Sequence, residues 1–215
     1  MSDLENPLVY WDGVGATKTF THPVNFTWLA EVGPNARILD YGCGYGRVMA
    51  ELHEQGFRDL LGVDLSPALI ARGRQLRPDL RLEVLDSPPT VAHAPASFDV
   101  VVLFAVLTCI PDDDAQRALI AEVVRVLAPG GLLYLSDVLL QDDERNQARY
   151  TAYAEQFGTP YGVFATGDGA VCRHHHINEL RTRLKDLDIL EQRRIDVITM
   201  NRNRAKAVQV LARKP

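Results

Sequence analysis

Cysteine is scarce in this chain: Cys43, Cys109 and Cys172 are the three among 215 residues. They form no CxxC pair and lie far apart, which excludes a disulfide framework and points to a reducing compartment. No apolar run approaches the roughly 18 residues of a membrane span, so no membrane partner is expected. The start, Met-Ser-Asp-Leu-Glu-Asn-Pro, lacks the basic and apolar parts of a signal peptide, and a cytoplasmic location is expected. Positive charge is also short, with 23 Lys and Arg against 28 Asp and Glu. The resulting net charge of -5 argues against a nucleic-acid partner, because phosphates require a basic surface. The basic run Arg181, Arg183, Lys185 has helical spacing and reads as a solvated helix face. Internal repeats and low-complexity segments are absent as well.

What is present suits one globular domain, since 47% of residues are hydrophobic and 24% charged. Between about residues 36 and 139 one phrase recurs: an apolar run of strand length, a turn, then an amphipathic stretch. The runs are 36–39, 60–63, 81–85, 98–104 and 132–135, with helical patterns at 48–55 and 115–127. Strands alternating with helices predict an α/β fold with a mainly parallel sheet covered on both faces. The tail predicts two further strands, 189–199 and 205–212, joined by Asn201-Arg202-Asn203 as an antiparallel hairpin. Outside this core lie residues 1–35, with a helix expected over 23–31, and residues 141–176.

The most informative segment is Asp40-Tyr41-Gly42-Cys43-Gly44-Tyr45-Gly46, where a strand gives way to a helix. Alternating glycines let the backbone turn sharply and approach a ligand that side chains would exclude. The helix start then offers free N–H groups to an electron-rich group. Asp64 ends the next strand and suits ribose hydroxyls, while Asp86, ending the third, suits an adenine amino group. Alternatively each acid caps the helix after it. The spacing GxGxG, with Arg47 in place of the third glycine of GxGxxG, does not suit a pyrophosphate-bearing dinucleotide.

The order Asp-Tyr-Gly-Cys-Gly-Tyr-Gly, Gly62-Val-Asp-Leu-Ser66, Phe98-Asp-Val-Val-Val102 and Val126-Leu-Ala-Pro-Gly-Gly131 resembles the class I S-adenosylmethionine-dependent methyltransferases. The resemblance covers about half the chain and implies a Rossmann-like, doubly wound, seven-stranded sheet with an antiparallel C-terminal hairpin. It implies a single domain over 1–215, with an N-terminal lid at about 1–35 and a cap insertion at about 141–176. It also implies S-adenosylmethionine as cofactor. Asp40, Gly42 and Gly44 would border its methionine part, Asp64 the ribose and Leu65 the adenine, with Cys43 of the same loop also at the cofactor. Asp86 and Ser87 would read the adenine edge, and Phe104 would lie beside the sulfonium.

Tyr10, in a polar segment, is expected to close over the cofactor. The Arg173-His174-His175-His176 run offers a proton acceptor for a small-molecule substrate. Capping or solvation of these histidines is the competing reading. A metal is not expected, because adjacent residues in an extended chain face opposite ways. Two other uses of such a site remain open: cyclisation or cleavage of the cofactor with release of methylthioadenosine, and a non-catalytic binding subunit. Oligomeric state is not readable from the sequence.

Overall fold

The computed structural model describes residues 7–215; the first six residues of the expected lid lie outside it. Helix α1 (Pro7–Asp12) and two single 3-10 turns precede β1 (Ile38–Tyr41), α2 (Arg47–Glu54), β2 (Leu60–Asp64), α3 (Pro67–Leu76) and β3 (Leu82–Val84). Then follow β4 (Phe98–Phe104), α4 (Asp113–Val126), β5 (Leu127–Val138), α5 (Glu144–Phe157), β6 (Val163–Ala165) and β7 (Val171–Arg173). The chain closes with α6 (Ile177–Arg183), β8 (Asp188–Ile198) and β9 (Arg204–Arg213). Every apolar run named above therefore contains a strand.

Seven strands form one sheet in the order β3-β2-β1-β4-β5-β9-β8, and β9 runs against the other six. This is the Rossmann-like arrangement the sequence implies. Strand side chains alternate between faces, and here both faces are covered. Leu39, Val101, Leu103 and Leu135 pack under α4 and α6 with Leu119, Val123 and Leu180. Ile38, Val100, Val102 and Tyr134 face Met49 and Leu52 of α2 and Ile70 of α3. The chain winds outward from β1 to β3, then returns to lay β4 on the other side of β1. That reversal opens a crevice at the carboxyl ends of β1 and β4.

The helix expected over 23–31 is reduced to one 3-10 turn, Phe26–Leu29. Its backbone groups are drawn to the sheet: Asn25 N–H donates to the Tyr134 hydroxyl at 2.8 Å, and the Pro23 carbonyl accepts from Gln209 at 2.6 Å. Residues 141–176 contribute α5 and a separate antiparallel ribbon of β6 and β7. Arg183 is not part of a solvated face: its guanidinium lies 2.5 Å from Asp113, and Arg181 donates to Gln192 of β8.

Helix α3 supports the crevice from below, and its start is tightly determined. Ser66 is its N-cap, accepting from Leu69 N–H at 3.1 Å, with Pro67 at the first helical position. The buried Ser66 hydroxyl donates to the Asp12 carboxylate at 2.7 Å, tying α1 to α3. Ser66→Ala is expected to cost about 1–2 kcal/mol and to lower the calorimetric unfolding midpoint by roughly 2–8 °C. An unchanged midpoint would mean that neither the cap nor the tie to α1 contributes.

Candidate functional site

The loop leaving β1 reverses within five residues because Gly42, Gly44 and Gly46 all adopt left-handed backbone, with φ of 72°, 56° and 80°. Side chains disfavour that conformation, and a Cβ on Gly44 would stand 2.8 Å from the Phe20 ring. Two successive amides, of Gly42 and Cys43, donate to the Val63 carbonyl at 2.8 and 3.0 Å. The third, Gly44 N–H, donates to Asp64 Oδ2 at 2.8 Å, while Ser66 N–H donates to Oδ1 at 2.9 Å. Asp64 is thus held by the glycine loop. It does not cap α3, where Ser66 does that work.

Asp40 contrasts with Asp64. It is buried beside Asp64 and Arg47, and its Oδ2 has no hydrogen-bond partner within the protein. Burial pushes its carboxyl up to about 7; Arg47 pulls it back and the charge of Asp64 adds to the rise. Burial also raises the Asp64 carboxyl, against the two N–H donors that favour its charged form.

Asp40, Gly42, Cys43, Gly44, Asp64, Leu65 and Phe104 line one narrow cleft of about 90 Å³, which Trp11 and Phe20 of the N-terminal segment cover. The structure does not bring the other three expected contacts there. Asp86 and Ser87 are exposed, because β3 stops at Val84 on the sheet edge and a turn, with no helix for either to cap, follows. Tyr10 points away, its hydroxyl donating to Asp168 at 3.1 Å.

A larger cavity of about 900 Å³ adjoins the cleft, and Trp11, Phe20, Ala105 and Cys109 face both. Asp168 ties its walls together: Lys18 forms an ion pair with it, Thr166 donates at 2.6 Å and Asn201 at 3.2 Å. Lys18 also donates to Asn201 at 2.6 Å. Partial burial acts to raise the Asp168 carboxyl, but these donors hold it well below the usual range.

The three histidines part company. His176 is exposed and caps α6, in a capping box with Glu179. His175 is fully buried, with Nε2 3.0 Å from Gln116 and Nδ1 3.6 Å from Asp137. His174 lines the cavity, and its Nδ1 lies 2.5 Å from the Tyr150 hydroxyl. Burial first, then the charges of Arg149 and His175, push its imidazole down to about 3. Sequence reasoning missed His22, a second buried imidazole on the cavity wall, with Nδ1 2.7 Å from Ser136. Burial holds it at about 4, with Asp137 and Arg47 acting in opposite directions. A lone His before a proline gave no signal of this. Among the described residues, no three His, Cys, Asp or Glu are placed to hold a metal.

Residues 38–131, which carry this crevice, match the family model described as a methyltransferase domain. The chain is 30% identical over 139 residues to the ubiquinone biosynthesis O-methyltransferase of Xylella fastidiosa, covering 60% of this chain and 54% of that protein. It is 34% identical over 133 residues to the trans-aconitate 2-methyltransferase of Deinococcus radiodurans, covering 61% and 48%. The chain thus spans about half the length of these relatives. A SAM-dependent methyltransferase structure from Methanosarcina mazei shares the fold, with a TM-score of 0.83 at 23% identity over 90% of this chain and 99% of that one.

The raised Asp40 carboxyl has a sign that stability measurements read. Its pKa lies above the unfolded value, so its contribution to stability is complete below about 4 and is lost as pH rises to about 7. Asp40→Asn should therefore be more stable than wild type at pH 8, with the gap closing as pH falls from 7 to 4. Urea unfolding of both proteins across that range checks this. A gap independent of pH would show that Asp40 is not the titrating group.

Proposed function

With residues 38–131 a methyltransferase domain, we propose that this protein uses S-adenosylmethionine to methylate a small molecule. The observation that carries the reading is the partnerless, buried Asp40 oxygen beside a glycine loop fastened to Asp64. A buried acceptor of that kind is costly unless a ligand donor reaches it. The ammonium of a methionine group is such a donor. Asp64 retains acceptor capacity beyond its two backbone bonds, which suits paired ribose hydroxyls. Leu65, Phe104 and Trp11 supply apolar surface for the base and the sulfonium. The names of the Xylella and Deinococcus relatives support a small-molecule acceptor.

Once bound, the cofactor supplies a methyl group already activated on sulfur, so alignment is the protein's main task. Residues 7–35 act as a lid, with Trp11 and Phe20 excluding water between the two compartments, and residues 141–176 form the cap of the acceptor cavity. The protein works in the cytoplasm.

His174 is the base. Asn146 donates through Nδ2 to Asp143, which leaves its Oδ1 to accept from the Tyr150 hydroxyl at 3.4 Å. The Tyr150 oxygen also accepts Gln141 N–H at 3.4 Å, and we assign the proton of His174 to Nδ1, which lies 2.5 Å from that oxygen. That tautomer leaves the Nε2 lone pair for the proton of the acceptor.

S-adenosylhomocysteine at about 100 times its Kd should raise the unfolding midpoint by roughly 5–10 °C, and Asp64→Ala should abolish the shift. The sulfur product identified by mass should be S-adenosylhomocysteine. Methylthioadenosine would instead indicate a cyclase or lyase, and binding without either product a non-catalytic subunit. His174→Ala should lower kcat by about 100-fold or more while leaving S-adenosylhomocysteine affinity unchanged; full turnover in that variant would remove the base from the mechanism.

A further inference from the structure

The chain carries a net charge of -5, yet its large cavity is lined by Lys18, Arg145, Arg149 and Arg204 against two acids, Asp143 and Asp168. Both acids are committed. Asp168 is taken by Lys18, Tyr10, Thr166 and Asn201, and Asp143 caps α5 through Asn146. Among the described residues, Arg149 has no carboxylate within 4 Å. Elsewhere, Arg37, Arg47, Arg125, Arg173 and Arg183 each reach one.

The Arg149 guanidinium lies over an aromatic wall, its carbon 3.4 Å from the centre of the Phe164 ring and 5.6 Å from that of Tyr150. Its Nε is buried with no hydrogen-bond partner. Burial lowers its pKa, as expected for a cation that has lost water and gained no anion. Phe164 in turn meets the His174 ring edge-on at 4.7 Å, so the cation and the imidazole share one wall.

We propose that the acceptor is a carboxylate-bearing small molecule, which Arg149 holds on the Phe164 wall with its reacting atom toward His174. This rests on the methyl-transfer reading and names its substrate class. A planar carboxylate matches the fork of N–H donors on a guanidinium, which its contact with Phe164 holds at the cavity wall. At about 900 Å³, the cavity has room for a metabolite of ordinary size. The same contact assists the chemistry. Arg149 is the second largest influence holding the His174 imidazole unprotonated, after burial. An anion on Arg149 offsets that repulsion, so the acceptor's own charge makes His174 a stronger base when it binds.

Calorimetric titration tests this with benzoate, salicylate, cinnamate, malate and citrate, each paired with its neutral amide, in the presence and absence of S-adenosylhomocysteine. At least one carboxylate should bind wild type roughly tenfold to hundredfold more tightly than its amide. Arg149→Met should abolish that preference while S-adenosylhomocysteine affinity stays as in wild type, and Arg149→Lys should retain part of it. No preference in wild type, or a preference that survives Arg149→Met, overturns the proposal. Failure of S-adenosylhomocysteine to bind wild type would instead overturn the cofactor reading, and the carboxylate preference of the free protein would still decide this one.

Discussion

One hydrogen bond, from Gly44 N–H to the Asp64 carboxylate, fastens the glycine loop after β1 to the end of β2, and the crevice depends on it. It joins a loop that only glycines can follow to an acid at a buried strand end. With Ser66 N–H on its other oxygen, Asp64 cannot swing away, and α3 must begin where it does. The consequence falls on Asp40. Buried beside a second carboxylate and given no donor by the fold, it is held partly protonated near neutral pH. Stability is lost there as pH rises, and such perturbed carboxyls are common at functional sites.

Beyond the crevice, the large cavity is built from parts far apart in sequence. Lys18 from the N-terminal segment, Asp168 from the β6–β7 ribbon and Asn201 from the hairpin turn meet in one polar cluster. The cluster joins the same three segments that Tyr10, Ala170, Cys172 and Met200 pack together in a small apolar group. Two buried imidazoles then face the interior, His22 against Ser136 and His174 against Tyr150. Burial keeps both neutral, the state in which an imidazole can accept a proton.

The centre of the sheet was legible because β1, β2 and β4 are buried on both faces and so read as continuous apolar runs. The hairpin was legible from Asn201-Arg202-Asn203, where Arg202 adopts φ of 61°. So was the glycine loop, since its turn is local. Contacts set by tertiary packing were not. Asp86 and Asp64 look equivalent in sequence, yet β3 is a three-residue edge strand that leaves Asp86 exposed. Three adjacent histidines suggest a cap for the helix that follows, which His176 supplies, but not that His175 is sealed in the core and His174 faces a cavity. Helical spacing over 23–31 could not reveal that Tyr134 and Gln209 would claim the backbone. His22 and Arg149 acquire their surroundings only from partners distant in the chain.

The most direct test of the account is calorimetric titration of wild type with S-adenosylhomocysteine in buffers of different ionisation enthalpy, at pH 6 and pH 8.5. If Asp40 receives the ligand's ammonium, it must ionise on binding. With its carboxyl at about 7 in the free protein, roughly one proton should be released per ligand at pH 6 and almost none at pH 8.5. Asp40→Asn should bind weakly and release no proton at either pH. Tight binding without proton release at pH 6, undiminished in Asp40→Asn, would contradict the assignment of this crevice.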